Sequence, residues 1–197
     1  MKSTIQDKTK LVNSVFSEVY NKYDLMNDIM SLGIHRIWKN KFIDWMNPYR
    51  NSSLIDVASG TGDIAKLFSL RNKNLPSITC IEPNENMFKK GKSNLVNFKN
   101  IKWIKSRAET LPVEDNMYDF YSISYGIRNV SGINKTLREA YRVLKPGGRF
   151  MCLEFSKIDN ELLNALYKNY SKIIPTLGKY IAGSSKPYEY LIDSIDT

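Results

Sequence analysis

The chain has almost none of the residues that hold metals or close cross-links. Its 197 residues include one histidine, His35, and two cysteines, Cys80 and Cys152. One histidine excludes a His-rich metal site, and no metal is expected. The cysteines stand far apart, each in an apolar strand-like run, with neither metal-pair nor disulfide spacing. Buried free thiols in a reducing compartment are expected instead. No apolar run is long enough to span a bilayer. The polar opening Met1-Lys2-Ser3-Thr4-Ile5-Gln6-Asp7-Lys8 has no apolar stretch behind it, so no secretory signal is expected. Internal repeats and low-complexity tracts are absent as well.

What is present suits one globular domain over residues 1–197: 42% apolar and 25% charged residues, with enough chain to bury a core. The formal net charge is +9. Such an excess favours nucleic acid, anionic membrane surfaces or acidic ligands. The lysines are spread along the chain, and no compact basic block carries interleaved aromatics. Nucleic acid is therefore not expected, which leaves a solvated basic face or a bias toward a membrane surface.

Two rhythms divide the chain. Over residues 1–50 the pattern is helical. Leu11, Val12, Val15, Phe16, Val19, Tyr20 and Tyr23 form one stripe on a helix from about Lys8 to Tyr23. It either covers the core or forms a lid over an apolar substrate. A second helix carries Ile34, Ile37, Trp38, Phe42, Trp45 and Met46 and ends near Asn47-Pro48. Over residues 51–197 strands and helices alternate. Strands are expected at Leu54–Val57, Ser77–Ile81, Ile101–Ile104, Tyr118–Tyr125 and Arg149–Phe155. Helices are expected at Asp63–Arg71, from Met87 to about Val96, at Ile133–Leu144, and from about Asn160 to Ile174. That alternation predicts a mostly parallel sheet with helices on both faces and right-handed crossovers. Ligands of such sheets lie beyond the carboxyl ends of the strands, where Asp56, Glu82, Arg107-Ala108 and Ser124-Tyr125-Gly126 fall.

The stretch Leu54-Ile55-Asp56-Val57-Ala58-Ser59-Gly60-Thr61-Gly62-Asp63 runs from strand through a glycine turn into a helix. Its glycines either admit a ligand or only permit a tight turn. Glu82 follows Gly62 by 20 residues, at the end of the next strand. A carboxylate there can accept two ribose hydroxyls, which suits NAD and S-adenosylmethionine equally. Asp56 inside the strand suits a cationic ligand better than a pyrophosphate. The turn lacks an extra basic residue for phosphate, and no tyrosine–lysine or histidine group typical of hydride transfer is evident.

Asp56-Val57-Ala58-Ser59-Gly60-Thr61-Gly62 resembles the first motif of class I S-adenosylmethionine-dependent methyltransferases. Arg142-Val143-Leu144-Lys145-Pro146-Gly147-Gly148 resembles their motif before the fifth strand. Three further stretches are similar to the ubiquinone/menaquinone-biosynthesis C-methyltransferase family. They are the run from Tyr23-Asp24-Leu25-Met26-Asn27 to His35-Arg36-Ile37-Trp38, Gly126-Ile127-Arg128-Asn129-Val130, and Arg149-Phe150-Met151-Cys152-Leu153-Glu154-Phe155-Ser156. The resemblance spans about Val12 to Ile195.

It implies a Rossmann-like methyltransferase fold, with a helical cap over 1–50 and a cofactor-binding core over 51–197. It also implies methyl transfer from S-adenosylmethionine to a ring carbon of a polyprenyl benzoquinol or demethylmenaquinol, with S-adenosylhomocysteine as product. By resemblance, cofactor contacts fall on Asp56, Gly60, Thr61, Gly62, Glu82, Arg107, Ala108 and Ser124. Position 107 is arginine where the family carries a small polar residue, so a stacking or backbone contact is implied there. The chemistry falls on Arg128, Asn129 and Tyr23. Arginine is too weak an acid to serve as a base. Arg128 is thus read as stabilising a quinolate, with Asn129 and Tyr23 holding the quinol oxygens. Pairing with a carboxylate is the plain alternative for Arg128, packing for Tyr23, and a structural role for His35. The implied partners are the quinol and a membrane surface, with a homodimer or a quinone-biosynthesis complex beside them. The implied location is the cytoplasmic face of a bacterial inner membrane or the matrix side of the mitochondrial one. Family members continue beyond the point where this chain stops, so a final antiparallel strand pair is expected to be missing. Other readings remain: methylation of another small phenol, NAD-dependent oxidoreduction, or an inactive truncated scaffold.

Overall fold

Leu54-Ile55-Asp56-Val57 is too apolar for a half-exposed strand, and its place explains why. In the computed structural model it lies in β1 (Ser53–Val57), the middle of a five-stranded sheet. The structure describes residues 10–12, 14–17, 20, 22–72, 76–156, 170, 174, 175, 188–190 and 192. The other strands are β2 (Ser77–Ile81), β3 (Ile101–Ile104), β4 (Tyr118–Ser124) and β5 (Leu144–Leu153). Helices α1 (Tyr23–Ser31) and α2 (Ile34–Met46) precede the sheet, and α3 (Asp63–Arg71), α4 (Glu85–Asn94) and α5 (Ile133–Val143) connect its strands. The spatial order is β3-β2-β1-β4-β5, and every neighbouring pair is parallel. The chain winds outward from β1 to β3, then returns to β4 on the other side. The carboxyl ends of β1 and β4 therefore flank the switch point where a ligand crevice opens.

Successive strand residues face opposite sides of a sheet, and the core divides accordingly. Leu54, Ile78 and Phe120 stand in register and pack with Phe42, Ile43 and Met46 of α2 and Phe68 of α3. On the other face Ile55, Val57, Tyr121 and Ile123 pack with Ala140 and Val143 of α5. Fully burying each such side chain contributes roughly 1.5–3 kcal/mol. Asp119 ties the edge of this core: it accepts Ser53 N–H at 2.7 Å and Lys145 Nζ at 2.9 Å.

Several boundaries differ from the sequence expectation. Residues 10–12 and 14–17 are helical, but Tyr20 and Lys22 are turn residues, and Tyr23 opens a separate helix. That helix, α1, was not expected; Met26 and Met30, one turn apart, bury against Ile174 and Tyr188. Helix α4 starts at Glu85, two residues early, because Asn84 caps it by accepting the N–H groups of Asn86 and Met87 at 3.1 Å. Strand β5 starts at Leu144, before the Pro-Gly-Gly breaker rather than after it. The breaker is absorbed as a bulge: pairing jumps from Tyr118↔Leu144 to Phe120↔Arg149. Cys80 is buried as expected, but Cys152 is exposed. Its strand is the sheet's edge among the described residues. Nearly all of the helix expected over about 160–174 lies outside the described residues. Among those described, no helix is long and apolar enough to cross a membrane.

Candidate functional site

The turn from β1 to α3 is held by backbone hydrogen bonds, one to β2 and one within the turn. Ser59 donates its N–H to Ile81 O at 3.1 Å, and Gly62 donates to Ser59 O at 2.9 Å. Gly62 has φ +90°, and a Cβ there would lie 2.6 Å from Leu95 Cδ1. Only glycine fits both demands. Gly62 thus faces Leu95 and Trp103 behind the turn, whereas Gly60 lines the crevice in front of it.

Two buried carboxyls flank the turn. Asp56, 1% exposed, accepts Ser122 Oγ–H at 2.6 Å on one oxygen; the other has no partner among the described residues. Burial pushes its pKa up to about 7 against the hydrogen bond from Ser122. Glu82 accepts Gly60 N–H and Asn84 N–H, each at 2.9 Å. Its pKa is also raised to about 7, by burial that outweighs those two donors.

In front of the turn a cleft of about 300 Å³ opens, a size suited to a small ligand. Glu82, Ala108, Ser124 and Asn129 line it. Val12 and Phe16, from the helical residues near the start of the chain, add apolar surface, and Ser17 accepts a hydrogen bond from Asn84 at 3.0 Å. Arg107 also lines the cleft, but its guanidinium pairs with Glu109 and donates to Ser131. Glu109 accepts Ser131 N–H at 2.5 Å as well, so this pair clasps the loop after β3 to the loop after β4. The Ser124 hydroxyl is buried without a partner among the described residues. Asn129, in the short turn after β4, accepts the Tyr190 hydroxyl at 2.9 Å.

A smaller cavity of about 30 Å³ lies behind the cleft and shares Gly60 and Ser124 with it. Asp56, Thr61, Lys39 and Asp63 line this space. Lys39 Nζ donates to Asp63 Oδ2 at 2.6 Å.

The structure therefore gathers Asp56, Gly60, Thr61, Glu82, Arg107, Ala108, Ser124 and Asn129 around two joined cavities. Gly62 stands behind them. Arg128 lines neither; it pairs with Glu154, and its guanidinium lies over the Phe155 ring, 5.4 Å from the centroid. Tyr23 is the first residue of α1, and its side chain lies outside the described residues. His35 is buried and lines neither cavity, with Nδ1 2.7 Å from Ser31 Oγ. Burial lowers its pKa, helped by the charge of Lys39. Sequence reasoning missed Lys39, Asp63, Glu109 and Glu154. Lys39 did leave a signal: it shares one helical face with His35, Phe42, Ile43 and Met46, a lysine at a core position.

A parallel sheet of this order, with an acid inside β1, a glycine turn and a second acid after β2 around one crevice, is a Rossmann-like fold of the kind that class I methyltransferases share. The chain belongs to the ubiE/COQ5 methyltransferase family, whose sequence profile matches residues 2–197. It is 50% identical to the ubiquinone/menaquinone biosynthesis C-methyltransferase UbiE of Rickettsia bellii, covering 96% of this chain and 79% of the relative. The same identity holds for the protein of that name from Rickettsia prowazekii, over 95% of this chain and 78% of the relative. Among solved structures, a SAM-dependent methyltransferase from Aquifex aeolicus superposes with a TM-score of 0.57 at 22% identity. That match covers 62% of this chain and 66% of the other, and it shows the fold alone.

Proposed function

We propose that this chain transfers a methyl group from S-adenosylmethionine to a ring carbon of a polyprenyl benzoquinol or demethylmenaquinol. The observation that carries the reading is the single cleft that joins the glycine turn and Glu82 to Asn129. Family membership and the names of the Rickettsia relatives support it. The residues fit the cofactor. The unpartnered oxygen of Asp56 suits a cationic ligand end, Glu82 suits ribose hydroxyls, and Val12, Phe16 and Ala108 suit an adenine face.

The sulfonium of the bound cofactor supplies an electrophilic methyl group. The chain's task is alignment, and raising electron density on one ring carbon. Loss of a quinol hydroxyl proton to a water molecule does the latter, because a quinolate pushes charge onto its ortho carbon. That carbon's own hydrogen then leaves as a proton to solvent, which restores the ring. By resemblance, stabilisation of the quinolate is assigned to Arg128, which precedes Asn129 in the short turn after β4 but lines neither cavity and is ion-paired with Glu154. Glu154 and Phe155 fix the guanidinium from behind. Asn129 holds the oxygen, with Tyr190 orienting its amide, and the second oxygen is assigned to Tyr23 by resemblance alone.

The isoprenoid tail brings the chain to a membrane surface as a peripheral protein. The net charge of +9 and the exposed Ile37, Trp38 and Trp45 of α2 support that. The surface is the cytoplasmic face of a bacterial inner membrane or the matrix side of the mitochondrial one. A homodimer or a quinone-biosynthesis complex belongs to the same reading. The test is a substrate panel: short-tailed demethylated quinols against simple phenols, each with S-adenosylmethionine, product mass being read. Methylation of the quinols alone supports the proposal. Equal methylation of the phenols, or of nothing, overturns it.

A further inference from the structure

Lys39 is an ammonium where the fold has little reason to keep one. It projects from the inward face of α2, between His35 and Phe42, and is 7% exposed. Its stem lies with the core, and its head emerges in the small cavity behind the glycine turn. Asp63 pairs with it, but Asp63 is 39% exposed at its side chain. A buried lysine is costly to hold for such a partner alone. The remaining lining is specific. Asp56 offers a carboxyl oxygen with no partner among the described residues, buried to 1% exposure. The first turn of α3 also opens on the cavity through Thr61, Asp63 and Ile64, and Gly62 gives that helix no side-chain cap.

One cation, uncapped helix N–H groups and one unpartnered carboxyl within a single small space match an α-amino acid in its zwitterionic form. We infer that Lys39 binds the α-carboxylate of the cofactor's methionine end, sharing its ammonium between that carboxylate and Asp63. The first turn of α3 supplies further donors, and Asp56 takes the α-ammonium. The inference rests on the cofactor reading above and adds a residue from outside the sheet. The helical cap thereby contributes directly to the cofactor site.

The test separates the two ends of the cofactor. S-adenosylhomocysteine carries the amino-acid end; methylthioadenosine lacks it but keeps the nucleoside. Calorimetric titration compares both ligands on the wild-type chain and on Lys39→Met, which keeps the stem and removes the charge. Lys39→Met is expected to weaken S-adenosylhomocysteine about 10- to 100-fold, the loss of one charged hydrogen bond. Methylthioadenosine binding is expected to stay within about twofold, well below that loss, which also shows that the variant folds. Unchanged S-adenosylhomocysteine affinity overturns the inference. So does an equal loss for both ligands, which marks Lys39 as a tether of the fold. A wild-type chain that binds neither ligand overturns the cofactor reading and this inference with it.

Discussion

Asp56 and Glu82 set how cofactor binding depends on pH. Both titrate near 7 in the folded chain, above their ordinary 3.8 and 4.5. Taken alone, such groups stabilise the empty chain fully below about pH 4, and that contribution is lost as pH rises through about 7. A ligand that needs them ionised reverses their preference. Affinity for S-adenosylhomocysteine is therefore expected to rise with pH up to about 7 and then level off. Binding at pH 6 should release protons, seen as a binding enthalpy that varies with the buffer's ionisation enthalpy. Proton uptake on binding would contradict this. Arg128 tests the chemistry in the same way. Arg128→Ala should lower turnover by about 10²–10³-fold, the usual cost of one charge-stabilising donor. The affinity for S-adenosylhomocysteine should hold, because Arg128 lines neither cavity. Wild-type turnover in that variant would remove its role. Asp56 and Glu82 were legible in the sequence because Asp56 stands four residues before Gly60 and Glu82 follows Gly62 by 20 residues, spacings that the chain shows directly. Lys39 and Glu154 were not, since each gains its meaning from a partner distant in the chain.

The glycine turn depends on α4 as much as on its own residues. Gly91 of α4 packs so closely that a Cβ there would lie 2.8 Å from Gly60 O and strike the Trp103 ring. Gly91→Ala should destabilise the chain by about 1–3 kcal/mol through overpacking. It should also weaken S-adenosylhomocysteine, because the atom displaced belongs to the turn. Urea unfolding and calorimetry check the two effects; an unchanged unfolding midpoint would show that the contact relaxes freely. The strands of the sheet were legible because buried parallel strands read as short apolar runs, and β2 and β3 fall where expected. Helix α1 escaped notice because its buried face among the described residues is Met26 and Met30, too brief a stripe between two turns. The start of β5 was misplaced because Lys145-Pro146-Gly147-Gly148 is a breaker in sequence but a bulge in the sheet.

Over the whole molecule, the fold alone leaves the chemistry open. Sheet order and glycine turn suit many reactions, and the Aquifex protein shares the fold at only 22% identity. Family membership narrows the choice to methyl transfer, and Asn129 shares the cleft with Glu82. The most direct measurement supplies S-adenosylmethionine with a deuterated methyl group and a reduced, short-tailed, demethylated quinol. The product is read by mass and by NMR. The expected result is a deuterated methyl group on a ring carbon, formed by the wild-type chain and strongly reduced in Arg128→Ala. A label on oxygen, or no labelled quinol from a chain that binds S-adenosylhomocysteine, would contradict it.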